Sequence, residues 1–204
     1  MKPERLNAFS DGVIAIIITI MVLELKIPHG AEISVLIPLI PVFLSYVLSF
    51  AYVAIYWNNH HHLMHASTHV SGVILWANMN LLFWLSLIPF ATAWMGENNF
   101  ARVPTALYGL ALLMPAISFF FLQRAIIRHH GHGGILAHAI GRDFKGKLSP
   151  ILYAIGIVAA LFAPWIAGIL YVAVALMWVI PDQRIERAIS RSQSAEGHSH
   201  GETS

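Results

Sequence analysis

The sequence predicts an all-α integral membrane protein that crosses a bilayer six times. Three observations lead there: a scarcity of charge, apolar runs of bilayer length, and basic residues concentrated in alternate gaps between those runs. Of 204 residues, 57% are hydrophobic and only 11% charged, and the mean hydropathy is +0.68. A soluble domain carries about 25% charged residues, so this chain lacks the polar surface to stay dispersed in water. Lipid is the solvent that suits it. The formal charge of +2 gives no reason to expect nucleic acid, because the basic residues sit between apolar runs and not in one patch. The absence of cysteine excludes disulfides, thiolate metal sites and a cysteine nucleophile. No signal peptide is expected, since Glu24 and Lys26 follow the first apolar run where a small-residue cleavage site would stand.

A helix needs about 20 apolar residues to cross the hydrocarbon core. The first expected span covers Phe9 to Ile27, the second Ile33 to Trp57, the third Val70 to Met95 and the fourth Val103 to Leu122. The uncharged run from Ile151 to Ile180 is too long for one ordinary span, and Pro164 lies near its middle. Proline bends or breaks a helix, so Ala163-Pro164-Trp165 is read as a tight turn joining helices five and six. One long kinked helix is the alternative, and the charge pattern decides against it. Cytoplasmic loops concentrate Lys and Arg. Six spans with the N-terminus inside leave only Lys26 and Arg102 outside, whereas five spans would also put Arg184, Arg187 and Arg191 there. Both termini are therefore expected in the cytoplasm. The basic, glycine-containing stretch from Ala125 to Leu148 is expected at the cytoplasmic interface. Residues 1–192 make the membrane unit, and 193–204, rich in Ser, Gly, His and Glu, make a disordered cytoplasmic tail.

The head of the first span reads Arg5-Leu6-Asn7-Ala8-Phe9-Ser10-Asp11. Helix capping accounts for Ser10 or Asp11, since a hydroxyl or carboxylate suits the first turn and its dipole. It does not account for an arginine six residues before the aspartate. A buried polar network tying this helix to its neighbours does.

Arg-x-x-x-Phe-Ser-Asp at the head of the first membrane helix resembles the motif of the transmembrane protein 175 family, with Arg5, Phe9, Ser10 and Asp11 in the matching places. Trp57-Asn58-Asn59-His60-His61 is similar to the family's Trp and His segment after helix two. Asn80-Leu81-Leu82-Phe83 and Ser86-Leu87-Ile88-Pro89-Phe90 are similar to its third helix. Beyond that, the likeness lies in helix number and hydropathy. The resemblance implies a potassium-permeable channel in a cell membrane, of the bacterial type with one six-helix repeat per subunit. It implies a homotetramer with the first helix lining a central pore, and large aliphatic side chains at the narrowest point. Potassium is then the permeant ion and no cofactor is expected. No Thr-Val-Gly-Tyr-Gly carbonyl filter occurs in the chain. Of the pore residues, the resemblance places the constriction at Ile16, followed by Ile20 and Leu23, with Thr19 on the flank. The spacing agrees, because at 100° per residue Ile16, Ile20, Leu23 and Ile27 fall within about 60° of arc. On residues alone the stripe is weak evidence, because this helix is apolar all round. The resemblance also places His60 or His61, with Trp57, beside Arg5, Ser10 and Asp11. Which histidine takes part stays open. Glu24 lies off the stripe and reads as an interfacial residue near Lys26.

Two other classes stay in view. His61, His65 and His69 are spaced i, i+4, i+8, which is metal-ligand spacing if the segment is helical. A histidine-rich membrane metalloenzyme would use such a cluster, but the paired His-x-x-His-His boxes of membrane di-iron oxygenases are missing and no carboxylate accompanies it. No metal is therefore assigned. A secondary transporter would carry charged residues at mid-membrane. The expected spans hold only polar groups at depth, such as Thr19, Ser49, Asn78 and Asn80. That favours a passive pore over an enzyme or a coupled carrier.

Overall fold

The computed structural model describes residues 3–65, 67, 69–130 and 144–179. The described chain is helical. α1 runs Pro3–Leu23. A 3-10 segment, Ile33–Leu39, leads into α2, Ile40–His65. α3 is Gly72–Ser86 and α4 is Ile88–Glu97. α5 is Arg102–His130, α6 is Phe144–Phe162 and α7 is Pro164–Val179. α3 and α4 together make one apolar span of 26 residues, so these elements amount to six membrane-crossing units. Five are long enough to span alone, and α7 is a shorter apolar helix of 16 residues.

Local chemistry sets the helix ends. α1 stops at Leu23, not Ile27: Leu25 N–H turns back to the Val22 carbonyl in a tighter bond, and Pro28 disfavours helix at the residue before it. Pro38 lies in the 3-10 segment and Pro41 in the first turn of α2, where a missing N–H costs nothing. α2 then runs eight residues beyond the expected end at Trp57, and α5 runs eight beyond Leu122. Both continue because backbone bonding, not hydropathy, ends a helix. At 1.5 Å per residue the 29 residues of α5 reach about 43 Å, longer than the hydrocarbon core. The expected interfacial loop at Ala125–Leu148 is thus narrower, since Ala125–His130 and Phe144–Leu148 are helical and 131–143 lies outside the described residues. The tail at 193–204 lies outside them as well.

The third expected span is broken where it read as continuous. Leu87 caps both pieces, and Pro89 at the start of α4 cannot bond back into α3. Ser71 caps α3 by accepting from the Ile74 N–H at 3.4 Å. Asn99 and Phe100, with φ of 49° and 56°, make the left-handed turn from α4 into α5. Beside it Glu97 pairs with Lys26, tying the end of α1 to the end of α4. The expected hairpin is present: only Ala163 stands between α6 and α7, and Pro164 opens α7.

Two cores hold these helices. The first joins α1, α2, α3 and the end of α5 through Leu6, Ile14, Ile17, Met21, Leu81 and Leu85. The second joins α2, α4, α5, α6 and α7 around Tyr52, Tyr108, Tyr153 and Tyr171. Gly109 and Gly156 make room for the Tyr171 ring, since a Cβ at either position would collide with it. Polar groups at depth are bonded in series: Thr92 donates to the Ile88 carbonyl, so Ser49 donates to Thr92 at 2.7 Å and Tyr108 to Ser49 at 2.9 Å. Lipid offers no partner for such groups, which is why they find one another across helices.

Candidate functional site: the two faces of the first helix

α1 is apolar on all sides, yet its sides differ in what they touch. Ile14, Ile17 and Met21 are buried against α2 and α3. A second stripe is left uncovered by the subunit: Ile16 is 59% exposed, Ile20 42% and Leu23 76%, whereas Ile17 is 2% exposed. Phe9 and Arg5 continue that stripe toward the N-terminus, because seven and eleven residues before Ile16 fall within about 20° of its direction at 100° per residue. Thr19 is exposed on its flank, and its hydroxyl donates to the Ala15 carbonyl at 2.9 Å. Glu24 is exposed past the helix end, and Lys26 turns to Glu97. That charge and hydrogen bond raise the Lys26 pKa.

The Arg-x-x-x-Phe-Ser-Asp motif is split between these faces. Ser10 is fully buried and donates to the Leu6 carbonyl at 2.9 Å. It accepts from Asn78 of α3 at 2.9 Å, and the Asn78 carbonyl oxygen meets His60 Nε2 of α2 at 2.7 Å. The amide of Asn78 donates to Ser10, so its oxygen accepts and His60 carries its proton on Nε2. Three helices are thereby joined by one donor-to-acceptor series. Asp11 sits beside this series and forms its own pair of bonds, accepting from Trp57 Nε1 at 3.0 Å and from Asn7 at 3.2 Å. His60 is the motif histidine that reaches this region; the His61 ring lies tilted at 33° beside Trp57, with ring centroids 6.0 Å apart.

Arg5 does not enter either set. It is exposed on the uncovered face and makes no hydrogen bond or ion pair among the described residues of the subunit. The reason is angular: Arg5 and Ser10 are five residues apart, about 140° around the helix, so one faces out when the other faces in. The participant that sequence reasoning passed over is Asn78. An asparagine in an otherwise apolar helix, level with a histidine of the preceding one, was the available signal.

The histidine spacing at 61, 65 and 69 does not form a helical face, because α2 ends at His65. Among the described residues no three His, Asp or Glu side chains come together as a metal site.

A six-span helical unit, with buried polar bonds behind its first helix and an uncovered aliphatic stripe in front, defines a multi-span membrane protein. Residues 5–89 match the family model described as "Endosomal/lysosomal potassium channel TMEM175". A potassium channel of Chryseobacterium sp. (strain P1-3) is 53% identical over 192 residues, covering 94% of this chain and 100% of the relative. One from Chamaesiphon minutus is 36% identical over 124 residues, covering 56% of this chain and 61% of that protein. The crystal structure of a lysosomal potassium-selective channel TMEM175 homolog from Chamaesiphon minutus superposes with a TM-score of 0.77 at 28% identity, covering 87% of this chain and 96% of that one. The chain belongs to the TMEM175 family.

Proposed function

We propose that this chain is one of four identical subunits of a potassium-permeable channel in a bacterial inner membrane, with both termini in the cytoplasm. The observation that carries the reading is the uncovered aliphatic stripe of Ile16, Ile20 and Leu23 on a helix whose other side is packed. Four copies of α1 around an axis would turn that stripe into rings. An ion passing an aliphatic ring meets no protein oxygen to replace its water, and an isolated charge in an apolar medium is very costly. A narrow ring therefore closes the pore by drying it, and a wider one passes a partly hydrated ion. Potassium holds its water less tightly than sodium, so such a ring favours potassium without coordinating carbonyls. Thr19 lies beside the constriction. Behind it, the Ser10, Asn78 and His60 series and the Asp11–Trp57 bond hold α1 at a fixed angle. No enzymatic step and no cofactor enter this reading.

The test is cation flux into liposomes, with potassium and sodium compared for each variant. Ile16→Ala widens the ring and is expected to raise basal flux and lower discrimination against sodium. Ile18→Ala, which points away from the stripe, is expected to change flux much less. If the two variants behave alike and neither alters selectivity, Ile16 does not form the constriction.

A further inference from the structure

A cavity of about 40 Å³, with no α1 residue in its lining, opens between α2, α5, α6 and α7. Its floor is Tyr52 and Tyr153, both buried, and its walls are Tyr56, Phe119, Phe120 and Trp178. The space would hold about three waters, but a cavity walled by aromatic rings stays dry and accepts hydrocarbon. Asn59, Gln123 and Ser149 also line it; the Asn59 amide donates to the Ile55 carbonyl at 2.8 Å, and Trp178 donates to Ser149 at 2.8 Å. These residues lie in the C-terminal parts of α2, α5 and α7 and the N-terminal part of α6. Phe120 stands at the rim, and the Arg124 guanidinium lies over its ring, 4.6 Å from the centroid. Arg128 follows one turn later on α5, and Lys147 stands exposed at the start of α6. Among the described residues, α5, α6 and α7 contain no carboxylate.

We propose that this cavity binds one anionic phospholipid, its upper acyl chain among the aromatic rings and its phosphate against Arg124, Arg128 and Lys147. Three features select this occupant. The walls want hydrocarbon, the rim carries three basic side chains, and a helix groove at the membrane surface is open to lipid. Basic pockets between membrane helices recognise anionic headgroups in this way. A zwitterionic lipid would fill the walls equally well and gain little at the rim. The bound lipid would bridge α2 to the α5–α7 unit and so bear on the helix that packs behind α1.

The experiment reads tryptophan quenching in the full-length protein. The chain has six tryptophans, of which Trp178 lines the cavity. The protein is reconstituted in phosphatidylcholine vesicles containing a minor fraction of either brominated phosphatidylglycerol or brominated phosphatidylcholine. The expected result is stronger quenching by the anionic lipid, with the excess no larger than one tryptophan's share. Trp178→Phe removes that excess. Arg124→Gln with Lys147→Gln, both at exposed positions, weakens the anionic lipid by about fivefold per charge removed. These surface changes leave the packing intact, so they decide the matter even where Trp178→Phe does not fold. Equal quenching by the two lipids overturns the proposal, and means that zwitterionic lipid or another part of the chain fills the cavity. An excess that survives Trp178→Phe, or that ignores the loss of both charges, overturns it too, because the anionic lipid then sits elsewhere.

Discussion

Replacing Asn78 with alanine removes the middle of the polar series that joins α1, α2 and α3. Asn78 is fully buried and holds Ser10 at 2.9 Å and His60 at 2.7 Å. Hydrogen bonds between membrane helices average about 0.6 kcal/mol and reach about 1.7, because the unfolded chain in lipid also finds partners. Two such bonds set a floor near 1 kcal/mol. The rest depends on what is left behind. Ser10 keeps the Leu6 carbonyl and loses little. His60 has no partner at Nδ1 among the described residues and loses the one at Nε2. A buried polar group without a partner costs about 1–3 kcal/mol. The two contributions overlap in the His60 bond, so the expected destabilisation is about 2–3 kcal/mol. The assay is equilibrium unfolding of the detergent-solubilised protein, with Asn98→Ala as control. Asn98 is exposed and bonds only to the Trp94 carbonyl of its own helix end. A cycle of His60→Ala, Asn78→Ala and the double variant isolates the shared bond, and should give a coupling of about 0.6–1.7 kcal/mol. If Asn78→Ala costs no more than Asn98→Ala, or if the cycle shows no coupling, the series does not hold α1 in place.

Asp11→Ala takes the acceptor from Trp57 and should lower the melting temperature of the subunit, while Arg5→Ala should leave it unchanged and show any effect only in oligomer yield or flux. Gly109→Ala drives a methyl group into the Tyr171 hydroxyl and should cost about 1–3 kcal/mol by overpacking, with a matching drop in unfolding midpoint. Topology reporters placed after Arg191 and within 131–134 should both read cytoplasmic and one near Asn98 external; an external C-terminal reporter overturns the orientation.

The number of spans, the hairpin at Ala163-Pro164 and the class of the protein were legible in the chain itself. Each rests on a property that acts residue by residue. A run of apolar side chains must lie in lipid, a proline must interrupt a helix, and a lysine or arginine must stay near water, whatever the rest of the molecule does. The same holds for Ser10 and Asp11 of the motif, whose polar groups had to find partners somewhere. Which partners was a different matter. The pairing of Ser10 with Asn78, 68 residues away, depends on how α3 lies against α1, and no local rule fixes that. Hydropathy gave α1 no preferred side either, since aliphatic residues surround it. Only packing separates Ile17, which is enclosed, from Ile16, which the subunit leaves bare. The ends of α2 and α5 were misjudged for a related reason, because hydropathy marks where lipid stops and backbone bonding marks where a helix stops. Lipid exposure and chain chemistry are thus written along the sequence, whereas helix rotation and the meeting of distant polar groups are decided by how the helices close on one another.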